Sequence, residues 1–358
     1  MNGFSRREFG WTVAGAAAMS SMRHLEAQSN PGSLTDVPGI KVGHFTDTRR
    51  PTGCTAILFD AASPAGVDYN GSAPGESQVV MLQPVSPVDR IHAIFLTGGG
   101  IFALPAASGV MRFMDERKIG FDWGTPDLRI PIVVSAVIDD LAIGNPRIRA
   151  DDAAAYKACA AAAAAPVAEG NVGAGAGATV GKMHRGRGLA GMKGGLGSAS
   201  LKLGDVVIGA LAVVNAAGDI LDWRSGRIIA GARRKDGTLA DSVDFMRGIV
   251  LKTPGAALED EALRSTTLAV VATNVELTKT ALTKLAMMAN CGASRAIRPY
   301  HTTGDGDQLF AVSTARLQRP DLPLTVLGSL AADVVAEAIV RGVRAATSIE
   351  GWAAVRDL

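Results

Sequence analysis

The sequence predicts an α/β chain built of layered sheets covered by helices, and two observations carry that prediction. Runs of aliphatic and β-branched residues follow one another through the first part of the chain, while strands alternate with helical periodicity after about residue 264. Such chains bury their sheet faces and cover the outer ones with helices. With 358 residues, 47% of them hydrophobic and 20% charged, there is chain enough for a sizeable core.

Taken in order, Leu34–His44 alternates like a strand entered through Pro38-Gly39, and Thr52–Asp60 reads as its hairpin partner. A buried strand then runs through Gly98-Gly99-Gly100 into a helix ending near Arg117. A glycine triplet there either turns backbone amides toward a ligand or lets strand and helix pack closely. Ile130–Asp140 is a β-branched strand ending in two carboxylates, and Asp151 caps an Ala-rich helix closed by Pro166 and Gly170.

Asn171–Asp222 is dense in glycine. Two phosphate-loop patterns can be tested in it and both fail. Ala176 stands where GxxxxGK[ST] needs its first Gly, and Met183 follows Lys182. After Gly173, Gly175 and Ala178, the helix a dinucleotide fold requires is broken by more glycine. The second half of the stretch holds a strand ending at Asn215, a turn at Gly218-Asp219 and a short strand. Arg233–Arg264 mixes charge with Gly and Pro, as loops and linkers do. Strand (Thr266–Asn274), helix (Thr278–Asn290), strand (Gln308–Ser313) and helix (Leu327–Ala346) follow.

A net charge of +2 and 5% aromatic residues give no footprint for nucleic acid. Cys54, Cys159 and Cys291 are widely spaced and the five His lack ligand spacing, so neither a metal nor another cofactor is expected. Arg6-Arg7 precedes an apolar run too short to span a membrane, and Leu25-Glu26-Ala27 resembles a loose cleavage site. Residues 1–28 are therefore expected to be a twin-arginine export signal, giving a periplasmic or extracellular protein whose mature form is not membrane-embedded.

Ser265, Thr266 and Thr267 stand at the junction of the linker-like stretch with a rigid strand. If the Ser265–Thr266 bond were cut, Thr266 would carry a free amine beside its hydroxyl, and such an amine can act as the base for its own nucleophile. Asp305 and Asp307 stand two apart at the mouth of the next strand, where they could act together, form a turn, or hold a cation.

TGCT, LTGGG, GAGATVGK, VVN, STTLAVVATN and IRPYHTTGDGDQLFAV, in that order, resemble the DmpA-type self-processing aminopeptidases, peptidase family S58. That family takes in L-aminopeptidase/D-esterase, β-peptidyl aminopeptidases and 6-aminohexanoate-oligomer hydrolase. The resemblance covers nearly all of the chain after residue 33. It implies a four-layer α/β/β/α sandwich of N-terminal-nucleophile type, cut between Ser265 and Thr266 into a larger part (29–265) and a smaller part (266–358). It also implies hydrolysis of small peptides or amides through an acyl-enzyme on Thr266, with Lys182, Asn215, Asp305 and Asp307 as catalytic partners. A homo-oligomer, most often a tetramer, is implied as well. Ser265 departs from the Asn of the oligomer hydrolase, Asp139 stands where Tyr is usual, and the glycine stretch differs at Gly100 and Ala103. Asp139, Gly99 and Gly100 therefore become candidates for the substrate pocket. The rival readings are acyl transfer of the ornithine-acetyltransferase kind and a non-catalytic binding protein on the same fold.

Overall fold

The computed structural model describes residues 32–185, 187–252 and 265–358. The expected export signal, and the end of the linker before Ser265, lie outside the described residues. Nine strands make the principal sheet system: β1 (Ile40–Thr46), β2 (Gly53–Asp68), β3 (Glu76–Ser77), β4 (Arg90–Thr97), β5 (Val133–Val137), β6 (Gly195–Leu203), β7 (Val206–Asn215), β8 (Thr266–Val275) and β9 (Gln308–Leu317). The helices are α1 (Ala107–Asp115), α2 (Asp152–Ala160), α3 (Ser242–Lys252), α4 (Lys279–Ala296) and α5 (Leu324–Ala345).

The strand order is β6-β7-β8-β9-β2-β4-β5-β3, with β1 also paired to β2. The long strand β2 belongs to both halves. Its first part pairs with β4 from Cys54 to Leu58, and its last residues, Ala65–Asp68, pair with β9 after an irregularity. The path thus divides into two sheets, β6-β7-β8-β9 and β1-β2-β4-β5-β3, joined through one strand.

Period-two alternation shows how these sheets are layered. Leu268, Val270 and Ala272 of β8, Phe310 and Val312 of β9, and Ile94 and Leu96 of β4 share one apolar core between the sheets. Ala269, Val271, Leu309 and Ala311 face the opposite way, against Leu282, Leu285, Val335 and Ile339 of α4 and α5. On the far side, Ala93 and Phe95 of β4 pack on Val110 and Phe113 of α1 and Ala155 of α2. Three cores between four layers make an α/β/β/α sandwich, the expected architecture.

Several elements differ from the sequence reading. Leu34–Asp36 is a 3-10 turn, so the first strand begins only at Ile40. The helix capped by Asp151 stops at Ala160 because Ala163 pairs with Val42 of β1 instead (N···O 3.0 and 3.1 Å). Strand β6 lies in the glycine-dense stretch and had no counterpart in the prediction. A Cβ at Gly197 would stand 2.1 Å from the Ala338 carbonyl, so glycine here admits the backbone of α5 to the sheet face. Part of the stretch read as linker forms α3. Among the described residues, no helix is long and apolar enough to cross a membrane.

Candidate active site

The site lies where β7 ends and β8 begins. Antiparallel pairing sets Asn215, the last residue of β7, opposite Thr266, the first of β8. On the other flank β8 runs parallel to β9, and a bridge just before both strands pairs Ser265 with Asp305. Backbone register alone therefore gathers Ser265, Thr266, Asn215 and Asp305 from three separate segments.

The Ser265–Thr266 peptide is enclosed, with the two residues 3% and 6% exposed. Thr266 Oγ1 donates to the Ser265 carbonyl oxygen at 2.6 Å, and the Gly306 N–H donates to the same oxygen at 2.9 Å. A side chain at Gly306 would meet Thr266 Oγ1 at 2.7 Å, so the close approach of this loop requires glycine. Two donors on one peptide oxygen polarise that carbonyl toward attack at carbon.

Lys182 follows the short strand Thr179–Val180. Its Nζ donates to Asn215 Oδ1 at 2.7 Å and to Thr179 Oγ1 at 3.1 Å. The Thr179 N–H also donates to Asn215 Oδ1, at 3.0 Å, which turns the Asn215 amide nitrogen toward the Asp139 carbonyl oxygen (3.3 Å). Part of Lys182 reaches the surface, but burial outweighs the pull of Asp139, Asp305 and Asp140 and brings its pKa down to about 7.

The two carboxylates divide their partners. Asp307 Oδ1 accepts from the Thr267 N–H at 2.6 Å, pinning the start of β8, and its Oδ2 accepts from the His301 N–H at 3.2 Å. Asp305 Oδ2 accepts from the N–H and hydroxyl of Thr302 at 2.9 and 2.8 Å. Burial, then the charge of Asp307, push Asp305 up to about 6. Asp305 Oδ1, Ser265 Oγ and Thr267 Oγ1 are buried without hydrogen-bond partners, and such orphans are rare enough in a folded chain to need a reason.

The structure thus brings Lys182, Asn215, Ser265, Thr266, Asp305 and Asp307 together. Asp139 stands at the half-buried rim, its carboxylate accepting from the Leu141 N–H at 2.8 Å. Gly99 and Gly100 use their amides within the protein: Gly99 N–H donates to Asp140 Oδ1 at 2.9 Å and Gly100 N–H to the Ile138 carbonyl at 3.0 Å. The triplet wraps Asp140, which also pairs with the buried Arg50 guanidinium and accepts from Thr52 Oγ1 at 2.7 Å. This is the packing alternative, and those two amides are not free for a substrate.

Sequence reasoning missed the buried Arg50–Asp140 pair and Lys193, whose ammonium donates to the carbonyls of Gly175, Ala178 and Gly194. Nothing local in the sequence signals these contacts, which join distant segments.

The four-layer fold, with a threonine hydroxyl, a lysine, an amide and two carboxylates at one strand junction, offers the groups that hydrolysis of peptide or amide bonds uses. Residues 32–356 match the model of peptidase family S58, and the chain belongs to that family. It is 34% identical to an uncharacterized aminopeptidase of Mycobacterium tuberculosis over 353 residues, covering 91% of this chain and 97% of the relative. It is 30% identical to a 6-aminohexanoate-oligomer endohydrolase of a Kocuria species, covering 86% and 85%. The fold is similar to the L-aminopeptidase D-Ala-esterase/amidase of Ochrobactrum anthropi (TM-score 0.62, 24% identity, 88% and 86% covered) and to a Burkholderia β-aminopeptidase (TM-score 0.64, 22% identity, 91% and 90%).

Proposed function

We propose that the protein cuts its own chain between Ser265 and Thr266 and then hydrolyses small peptides or amides with Thr266 as an N-terminal nucleophile. The observation that carries this reading is the Ser265 carbonyl oxygen held between the Thr266 hydroxyl and the Gly306 amide. In the uncut chain Thr266 Oγ1 attacks the Ser265 carbonyl carbon, and its proton passes to the ionised form of Asp305. The C–N bond breaks as that proton reaches the Thr266 nitrogen, leaving an ester between Ser265 and Thr266 Oγ1. Water then hydrolyses the ester, freeing the Ser265 carboxylate, the Thr266 hydroxyl and the new amine.

In the processed enzyme that amine takes over from Asp305 as the base for the hydroxyl and protonates the departing amine of the substrate. Asn215, its amide held in one orientation by Lys182 and Thr179, donates to the oxyanion of the acyl-transfer intermediate, a contribution worth roughly 10²–10³ in rate. Lys182 adds positive charge beside the amine and lowers its proton affinity. The three orphaned oxygens gain partners when the new termini and substrate arrive. The exported, oligomeric state implied by the resemblance belongs to the same proposal.

The test is the intact mass of Thr266→Ala beside the parent chain. The parent is expected as two chains, the smaller beginning TTLAVVATN, and the variant as one. A variant that still splits at this bond removes Thr266 from the role.

A further inference from the structure

Lys193 is completely buried, and its ammonium group spends all three of its protons inside the protein. Nζ donates to the carbonyl oxygens of Gly175 at 3.0 Å, Ala178 at 2.8 Å and Gly194 at 3.0 Å. Gly175 and Ala178 belong to the segment that runs from the 3-10 turn Gly173–Gly175 into the short strand Thr179–Val180. Strand pairing explains the reach: Thr179 stands opposite Lys193, and the Gly194 N–H also donates to the Ala178 oxygen at 2.9 Å. On its other side the same segment meets Asp140. A Cβ at Gly177 would stand 2.5 Å from both Asp140 Oδ2 and the Pro51 carbonyl oxygen, so the segment is held from two directions. Burial disfavours the charge on Lys193, and Asp140 favours it.

One peptide group of this segment joins the buried cation to the site. The Ala178–Thr179 peptide accepts from Lys193 Nζ at its oxygen, and its N–H donates to Asn215 Oδ1 at 3.0 Å. A bond at the oxygen fixes the plane of the peptide and with it the direction of the N–H. It also strengthens that N–H as a donor, because hydrogen bonds in a chain polarise one another. Asn215 Oδ1 has a second donor in Lys182 Nζ, but that group sits on a long side chain, whereas the Thr179 N–H is backbone.

We propose that Lys193 is a positioning residue: it locks the Ala178–Thr179 peptide so that Asn215 presents its amide nitrogen to the oxyanion. Resting on the proposed hydrolysis at Thr266, this adds a buried cation that acts through Asn215.

Lys279 offers a comparison within the same chain. Its Nζ also donates to three carbonyl oxygens, those of Met81, Ser86 and Val88, at 2.8, 3.1 and 2.8 Å. None of these acceptors adjoins a residue of the site. Parent, Lys193→Met and Lys279→Met are made as full-length chains and purified after splitting. The values of kcat and KM are measured on a panel of aminoacyl p-nitroanilides and short peptides, per two-chain molecule counted by intact mass.

Removing an oxyanion donor outright costs roughly 10²–10³ in rate. Lys193→Met leaves the donor in place but poorly aimed, so kcat should fall about tenfold or more with KM within about threefold of the parent, the mark of a contact made in the transition state. Lys279→Met should lower the melting temperature and leave kcat within about twofold of the parent. Lys193→Gln, uncharged but with two N–H donors, enters the same comparison should the Met chain not fold, and its kcat should fall as well. A parental kcat in a Lys193 variant overturns the inference. So does a rise in KM at constant kcat, or an equal loss of kcat in Lys279→Met. Failure of both Lys193 variants to give folded two-chain protein assigns the lysine to folding and overturns the inference too. A parent that does not split, or that splits and hydrolyses none of the panel, overturns the underlying function instead.

Discussion

Asp305 is held at the expense of stability. Its carboxyl group passes from a reference pKa of 3.8 to about 6 on folding, because burial and Asp307 disfavour its charge. A group raised in this way contributes most below its unfolded pKa, and the contribution is lost as pH rises through the folded value. In an uncut Thr266→Ala background, Asp305→Asn should therefore melt a few degrees above its parent at pH 7.5, with the difference fading near pH 4. Thermal melts at the two pH values check this, and a gap that widens in acid contradicts it. Restored to the Thr266 chain, the same Asn substitution should stop or greatly slow the appearance of two chains. At this scale the sequence was legible where chemistry sits in short strings, as with Thr266, Asn215, Lys182 and the Asp305-Gly306-Asp307 turn. The buried Arg50–Asp140 pair was not, because its two segments meet only in the folded chain and no spacing announces the contact.

Strand β6 shows why element prediction failed where it did. Its glycines erase the alternation that marks a strand, yet Gly195 and Gly197 are there because α5 crosses the sheet at backbone distance. The Gly197 Cβ position is 2.1 Å from the Ala338 carbonyl and 2.3 Å from the Gly342 nitrogen, neither of which can rotate aside. Gly197→Val should lower the denaturant midpoint by an amount equivalent to about 3 kcal/mol, the upper end for overpacking, while leaving the slope unchanged. A midpoint within error of the parent would mean that α5 shifts freely on the sheet. Strands β7, β8 and β9 were readable because both their faces are buried, which calls for continuous apolar runs. Helix α3 was hidden by the charge and glycine around it, and composition alone does not separate a short surface helix from a linker.

At the scale of the molecule, the proposed cut leaves β8 between β7 and β9, and β9 between β8 and β2. The smaller part thus supplies two interior strands and the helices α4 and α5, all buried against strands of the larger part. The two chains should co-elute as one species on size exclusion in native buffer and separate only in denaturant, and separation without denaturant would contradict the layered core described above. The burial of the Ser265–Thr266 bond also constrains how such a terminus can be made. An outside protease needs an extended, accessible segment that this enclosed bond, with Thr266 6% exposed, does not offer. On the proposed reading, the free amine is generated by a chain that has already folded in one piece. The proposed cut therefore ties the making of the site to one folded precursor, and a chain whose Ser265–Thr266 bond stays closed keeps the proposed amine locked in a peptide.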